Sequence, residues 1–174
     1  MQTPFSRLQP VEKNPHPIDP RTDIGHVHLK TADIQRVYDF YVSILGFDVV
    51  VRIPNALFIS AGGYHHHLGF NTWESEGGKP PAAGTTGLYH VAIRYPNRPA
   101  LGNALKRLVD AKWPIDGVND HGTHEAIYTH DADQNGLELY YDRLESEWPL
   151  DAQGHLEVSG RQMDLDGLLA EAKK

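Results

Sequence analysis

Apolar and polar positions along this chain alternate, then widen to a helical period, then alternate again, and the whole order repeats once. Residues 24–30 (Ile-Gly-His-Val-His-Leu-Lys) alternate with period two, which predicts a strand. Asp33 stands where a helix N-cap belongs. Val37, Phe40, Tyr41, Ile44 and Leu45 follow at helical spacing, up to a C-capping Gly46. Residues 47–52 and 56–60 read as strands about the Pro54-Asn55 turn, Gly62-Gly63 makes another turn, and 64–73 is the fourth strand. Residues 74–86, rich in Gly and Pro, form a linker.

The second half restates this order. Residues 88–95 form a strand with His90 placed as His26 is in the first. Asn97 and Pro99 open a helix with Leu101, Leu105, Leu108 and Val109 on its apolar face. Residues 115–121 are a short strand or loop, and 125–130 and 137–142 are the last strands, joined across Asp131-Ala132-Asp133-Gln134-Asn135. A half-repeat that ends in strands does not easily bury its own apolar face, so the two halves must pack together. The expected fold class is therefore α+β: two βαβββ modules, 24–73 and 87–142, within one domain spanning 23–142. Before it lies an arm, residues 1–22, kept from helix and central strand by Pro4, Pro10, Pro15, Pro17 and Pro20. After it comes an acidic tail, 143–174, in which 163–172 reads as a short amphipathic helix with Leu165, Leu168 and Leu169 on one side.

Composition narrows the function. A chain of 174 residues buries a real core. The net charge of −7 and the lack of a Lys/Arg cluster argue against nucleic acid as a partner. No segment approaches a membrane span and no apolar run of signal-peptide type opens the chain, so the expectation is a cytoplasmic protein away from membranes. Cysteine is absent, which fits a reducing compartment and leaves any metal to imidazole and oxygen. The eleven histidines turn attention to iron, manganese, nickel or zinc. His26, His90 and Glu138 are the candidates for one shared site, since two imidazoles and a carboxylate hold a metal with positions left open. Glu138 is flanked by Leu137 and Leu139, and a carboxylate in a buried strand needs a partner, either a metal or an arginine.

Strand, helix and three strands, twice, resembles the vicinal oxygen chelate superfamily of glyoxalases, bleomycin-resistance proteins and extradiol dioxygenases. The resemblance covers about residues 24–142. Asp131-Ala-Asp-Gln-Asn-Gly-Leu-Glu138 is similar to that superfamily's Asp-Pro-Asp-Gly-Asn-x-hydrophobic-Glu motif, departing from it at Ala132 and Gln134. The run Ala61-Gly-Gly-Tyr-His-His-His-Leu-Gly-Phe-Asn-Thr-Trp73 resembles the catechol 2,3-dioxygenase-like group, as do Gly87-Leu-Tyr-His90 and Asn119-Asp-His-Gly122. The resemblance implies a cupped mixed sheet around one metal, with ligands on the first and fourth strands of each half: His26, the 64–68 segment, His90 and Glu138. It implies cleavage of a small aromatic diol by dioxygen at Fe(II), with Mn, Ni or Zn as other occupants.

Within the His65-His66-His67 run, strand geometry turns His65 and His67 one way and His66 the other. The resemblance gives His67 the acid–base role, with His65 as the alternative, and gives Tyr128 a hydrogen bond to a substrate hydroxyl. His121 and His124 are placed at the mouth of the site, Phe70 and Trp73 in the core, and Asp120 and Glu125 in solvent. Two other readings share the fold: a glyoxalase I-like isomerase using nickel or zinc, and a non-catalytic small-molecule-binding protein. Many dioxygenases of this group carry two such domains and this chain has one, which implies a homo-oligomer, most simply a dimer.

Overall fold

Each half of the chain builds one mixed four-stranded sheet with a helix on one face. The structure is a computed structural model, and it describes residues 8–157 and 159–172. The first half comprises β1 (Val27–Lys30), α1 (Ile34–Val37) running into π-helical turns (Tyr38–Ile44), β2 (Asp48–Ile53), β3 (Ala56–Ser60) and β4 (Leu68–Asn71). The second comprises β5 (Val91–Arg94), α2 (Arg98–Asp110), β6 (Gly117–Asp120), β7 (His124–His130) and β8 (Gly136–Asp142). A 3₁₀ turn (Glu145–Glu147) and α3 (Leu165–Glu171) lie in the tail. Strand order is β1-β4-β3-β2 in one sheet and β5-β8-β7-β6 in the other. In each, the first strand pairs parallel to the fourth and the remaining pairs are antiparallel. The two-module α+β architecture is the one expected.

Local chemistry sets the helix starts where the sequence places them. The Asp33 carboxylate accepts from the backbone N–H of Gln35 and Arg36, and the Asn97 side chain accepts from Ala100 N–H at 2.9 Å. The first helix widens toward its end, where Leu45 N–H bonds the Phe40 carbonyl at 3.0 Å, five residues back. It stops at Gly46, whose φ of +88° suits glycine. In α2, Leu101, Ala104, Leu105 and Leu108 are buried, whereas Val109 falls past the edge of the stripe and is half exposed.

One apolar cluster runs through both modules and takes in Met163 and Leu168 of the tail. Phe40 lies on Trp113 with ring centroids 4.6 Å apart, which joins the first helix to the second half. Gly102 of α2 approaches α3 so closely that a Cβ there would stand 2.5 Å from the Leu168 carbonyl oxygen. The arm is described from residue 8 onward; it is exposed, without helix or strand, and Gln9 N–H reaches the Gly154 carbonyl of the tail at 3.2 Å. Residues 1–7 of the arm and 173–174 of the tail lie outside the described residues. Among the described residues no helix is long and apolar enough to cross a membrane.

Three local expectations are corrected. The fourth strand is shorter than 64–73: Tyr64 to His67 lie in the turn before β4, closed by the His67 ring, so strand alternation does not orient the histidine run. Glu125 is buried rather than solvated, clamped by Arg98 at 2.8 Å and Arg143 at 2.9 Å, and Asp120 is paired with Arg143 at 2.9 Å. Phe70 is core, but Trp73 is 62% exposed, because β4 ends at Asn71 and the chain turns outward.

Candidate metal centre

Glu138 owes its position to the alternation of β8. Leu137 and Leu139 point into the core, so Glu138 faces the other side of the sheet, where it is only 8% exposed. The register sets Tyr128 of β7 on one side of Glu138 and Ala92 of β5 on the other. His124 and Ala126 share the face of Tyr128 by the same period-two rule, and the small side chains of Ala92 and Ala126 leave room.

Four groups converge there. His90 Nε2 lies 3.0 Å from Glu138 Oε2, and His124 Nε2 lies 3.2 Å from Oε1. The Tyr128 hydroxyl donates to Oε1 at 3.0 Å and also sits 2.8 Å from His121 Nε2. His121 stacks on His124 with centroids 4.6 Å apart. Burial alone would raise the Glu138 carboxyl, but hydrogen bonds from His124 and Tyr128 and the charges of His124 and His90 outweigh it, so it is held below the usual range. Tyr128 moves the opposite way: burial, then the Glu138 carboxylate that takes its hydrogen bond, keep the phenol protonated.

This set fits a divalent metal. Ligand atoms of His121, His124 and Glu138 lie within 4.8 Å of one another, with His90 on the second carboxylate oxygen. Imidazole nitrogen and carboxylate oxygen suit iron, manganese, nickel or zinc. Among the described residues the buried His90 Nδ1 finds no hydrogen-bond partner, and a buried polar atom left so calls for an explanation such as a functional role.

The other predicted residues gather elsewhere. His26, immediately before β1, lies 4.4 Å from the His66 ring and 6.3 Å from that of His65. His65 and His66 turn their Nδ1 atoms toward each other at 2.8 Å. His67 Nδ1 accepts from Ala61 N–H at 3.2 Å and lies 3.0 Å from Ser60 Oγ. A backbone N–H only donates, so a neutral His67 carries its proton on Nε2. Among the described residues no hydrogen bond, ion pair or ring contact joins His26, His65 or His67 to His90, Tyr128 or Glu138. Within one chain, then, His90, Tyr128 and Glu138 of the expected set come together. His121 and His124, expected only at the mouth, bond Tyr128 and Glu138 directly. The alternation with Tyr128 puts His124 on this face, whereas His121 sits in a loop and is marked only by the Asn119-Asp-His-Gly122 run, since no strand period orients it.

A family model described as the Glyoxalase/Bleomycin resistance protein/Dioxygenase superfamily matches residues 23–141. The chain belongs to this superfamily. Its match ends just past Glu138, so the superfamily unit holds both histidine groups and excludes the tail. Among curated proteins the chain is similar to a catechol-2,3-dioxygenase of Bacillus subtilis, 36% identical over 87% of this chain and 52% of that protein. It is 26% identical to biphenyl-2,3-diol 1,2-dioxygenase 3 of Rhodococcus globerulus over 70% of this chain and 64% of the relative. The chain thus spans about half the length of the first relative and under two thirds of the second. A solved glyoxalase/dioxygenase from Nostoc punctiforme shares the fold of this superfamily member with a TM-score of 0.60 at 20% identity, over 78% of this chain and all of that one.

Proposed function

We propose that this chain is a metal-dependent extradiol-type dioxygenase that cleaves a catechol-like diol with dioxygen. The observation that carries the reading is the meeting of His90, Tyr128 and Glu138 on one open sheet face. The likeness to two proteins named as dioxygenases of aromatic diols supports it. Iron(II) is the proposed metal, with Mn, Ni and Zn as alternatives; bound at Glu138, it supplies the chemistry of holding both diol oxygens and dioxygen together and letting charge pass between them. Tyr128, held protonated, donates to a diol oxygen and orients it. His67 carries its proton on Nε2 and serves as acid–base group, with His65 as the alternative.

His26 remains the proposed third ligand, and we assign its delivery to a second copy of the chain. The two sheets share no strand pairing. The first module presents His26 and exposes Val51, Ile53 and Trp73, and the second presents His90 and Glu138. A dimer that sets the first module of one copy against the second module of its partner brings the two groups together and covers that apolar surface. The protein is placed in the cytoplasm, in keeping with its lack of cysteine.

The test is metal content and catechol turnover of anaerobically iron-loaded protein, with His26→Ala and Glu138→Gln prepared separately and then mixed under refolding. Loss of both in each variant, with partial recovery on mixing, is the expected result. Retention of iron in His26→Ala, with loss in His124→Ala, would move the site to His121, His124 and Glu138 of a single chain. Absence of ring cleavage across a broad catechol panel sinks the dioxygenase reading.

A further inference from the structure

The tail beyond residue 141 lies outside the superfamily unit, yet it reaches the site. β6 is the outer strand of its sheet, and the tail closes that edge: Asp120 N–H bonds the Arg161 carbonyl at 3.0 Å and Arg161 N–H bonds the Asp120 carbonyl at 2.9 Å. Just past the end of β6, Ser159 Oγ donates to the His121 carbonyl at 3.1 Å. The His121 ring in turn sets Nδ1 3.2 Å from the Ser159 carbonyl oxygen. Gly122 records how close the tail comes. Its φ is +80°, and a Cβ there would stand 2.9 Å from Pro149 Cγ and 3.0 Å from Ser159 Oγ.

A carbonyl oxygen has no proton to give, so in the Ser159–His121 contact the imidazole must donate. Nδ1 therefore carries the hydrogen, and a neutral His121 keeps a lone pair on Nε2. That lone pair points at the Tyr128 hydroxyl, 2.8 Å away. Tyr128 also serves Glu138 Oε1 and has one hydrogen for two acceptors. The chain Ser159 carbonyl, His121, Tyr128, Glu138 is thus short of one donor, and a cation or a hydroxyl entering the site supplies it. With the opposite tautomer, Nε2–H would donate to Tyr128, the deficit would vanish, and Nδ1 would face the Ser159 carbonyl lone pair to lone pair.

We propose that the tail is a working part of the site: the Ser159 carbonyl fixes His121 in the Nδ1–H tautomer, so that Nε2 faces Tyr128 as an acceptor. Ser159 is a positioning residue, acting through His121. What the acceptor serves rests on the dioxygenase reading; the tautomer itself does not.

The test reads the tautomer directly. Full-length protein labelled with ¹⁵N-histidine and stripped with EDTA is studied by long-range ¹H–¹⁵N correlation at about pH 8, above the ordinary imidazole range. The His121 signals are assigned by their loss in His121→Gln. A protonated Nδ1 and an unprotonated Nε2 at His121 are expected. A His121 that is Nε2–H or an even mixture overturns the proposal, whatever the enzyme does. Arg161→Pro removes one of the two backbone bonds that pin the tail to Asp120, and its ring, which cannot join the ladder, pushes the tail off that edge. It is expected to shift His121 toward Nε2–H and to lower kcat by roughly 10- to 100-fold, with KM changed far less. An unchanged tautomer in a folded Arg161→Pro also overturns the proposal. If wild type holds the Nδ1–H tautomer but cleaves no catechol, the dioxygenase reading fails and the positioning stands.

Discussion

Tyr41 of the first module donates its phenol hydrogen bond to the Asp131 carboxylate of the second at 3.0 Å, and both side chains are fully buried. Asp131 also accepts the backbone N–H groups of Asp133 and Asn135, each at 2.9 Å, and so shapes the turn that leads into Glu138. Thr31 and Arg36 grip the same turn through Asp133 and the Ala132 carbonyl. The first module thereby helps to place the carboxylate of the second. Burial, then the charges of Asp131 and Asp133, push Tyr41 ionisation well above the ordinary tyrosine range.

That shift has a defined consequence for stability at alkaline pH. The folded state keeps a proton that the unfolded chain loses near pH 10, so the contribution of Tyr41 is complete below that pH and lost as pH rises above it. Tyr41→Phe is expected to cost about 1–2 kcal/mol at neutral pH by urea unfolding. It should also make the decline above about pH 10 shallower. An alkaline slope identical to wild type would show that another group controls it.

Glu138 behaves in the opposite sense. Its carboxyl is held below the usual range, so its contribution is present above the unfolded value, about 4.5, and is lost only as pH falls below that. Metal-free protein is expected to keep full stability down to about pH 5 and then weaken. Glu138→Gln should remove that part of the acid decline and abolish metal uptake, read by acid titration and elemental analysis.

Tyr128→Phe tests the hydroxyl without disturbing the ligands. Loss of a hydrogen bond to a charged group is expected to lower kcat/KM for catechol by roughly 10- to 100-fold. Metal content should stay near that of wild type, because the proposed ligands His26, His90 and Glu138 remain. A variant that loses its metal would assign Tyr128 to the metal's binding rather than to the diol.

Glu125 ties the back of the second sheet to α2 and the tail through Arg98 and Arg143, and Arg98 also reaches Glu171 of α3. Glu125→Ala leaves two arginines partly unpaired at a buried position and is expected to cost about 2–4 kcal/mol in chemical denaturation. A cost below about 0.5 kcal/mol would mean that the arginines re-pair without strain.

Gln134 occupies a left-handed conformation, φ +66°, where the resembling motif has glycine. A non-glycine residue there costs about 1–2 kcal/mol, partly offset by the greater freedom glycine has when unfolded. Gln134→Gly should therefore raise the melting temperature by about 1–3 °C without changing metal binding. A fall would mean that the Gln134 side chain contributes more than its backbone costs.

The sequence by itself determined the two modules, their strand and helix order, the caps at Asp33, Asn97 and Gly46, and the burial of Glu138 between two leucines. These depend on periodicity and on neighbours a few residues apart, which a linear pattern records. It also marked His90 and Tyr128, whose places follow from strand register. Only the tertiary structure decided which histidines meet Glu138. His26 and the His65–His67 run lie on the other sheet, and the turn that carries the run has no period to orient it. His121 is aimed by a carbonyl of the tail, and Glu125 is buried by arginines from α2 and from the chain beyond β8. Each of these depends on a contact between segments far apart in the chain, and such contacts leave no repeat in the local order of apolar and polar residues.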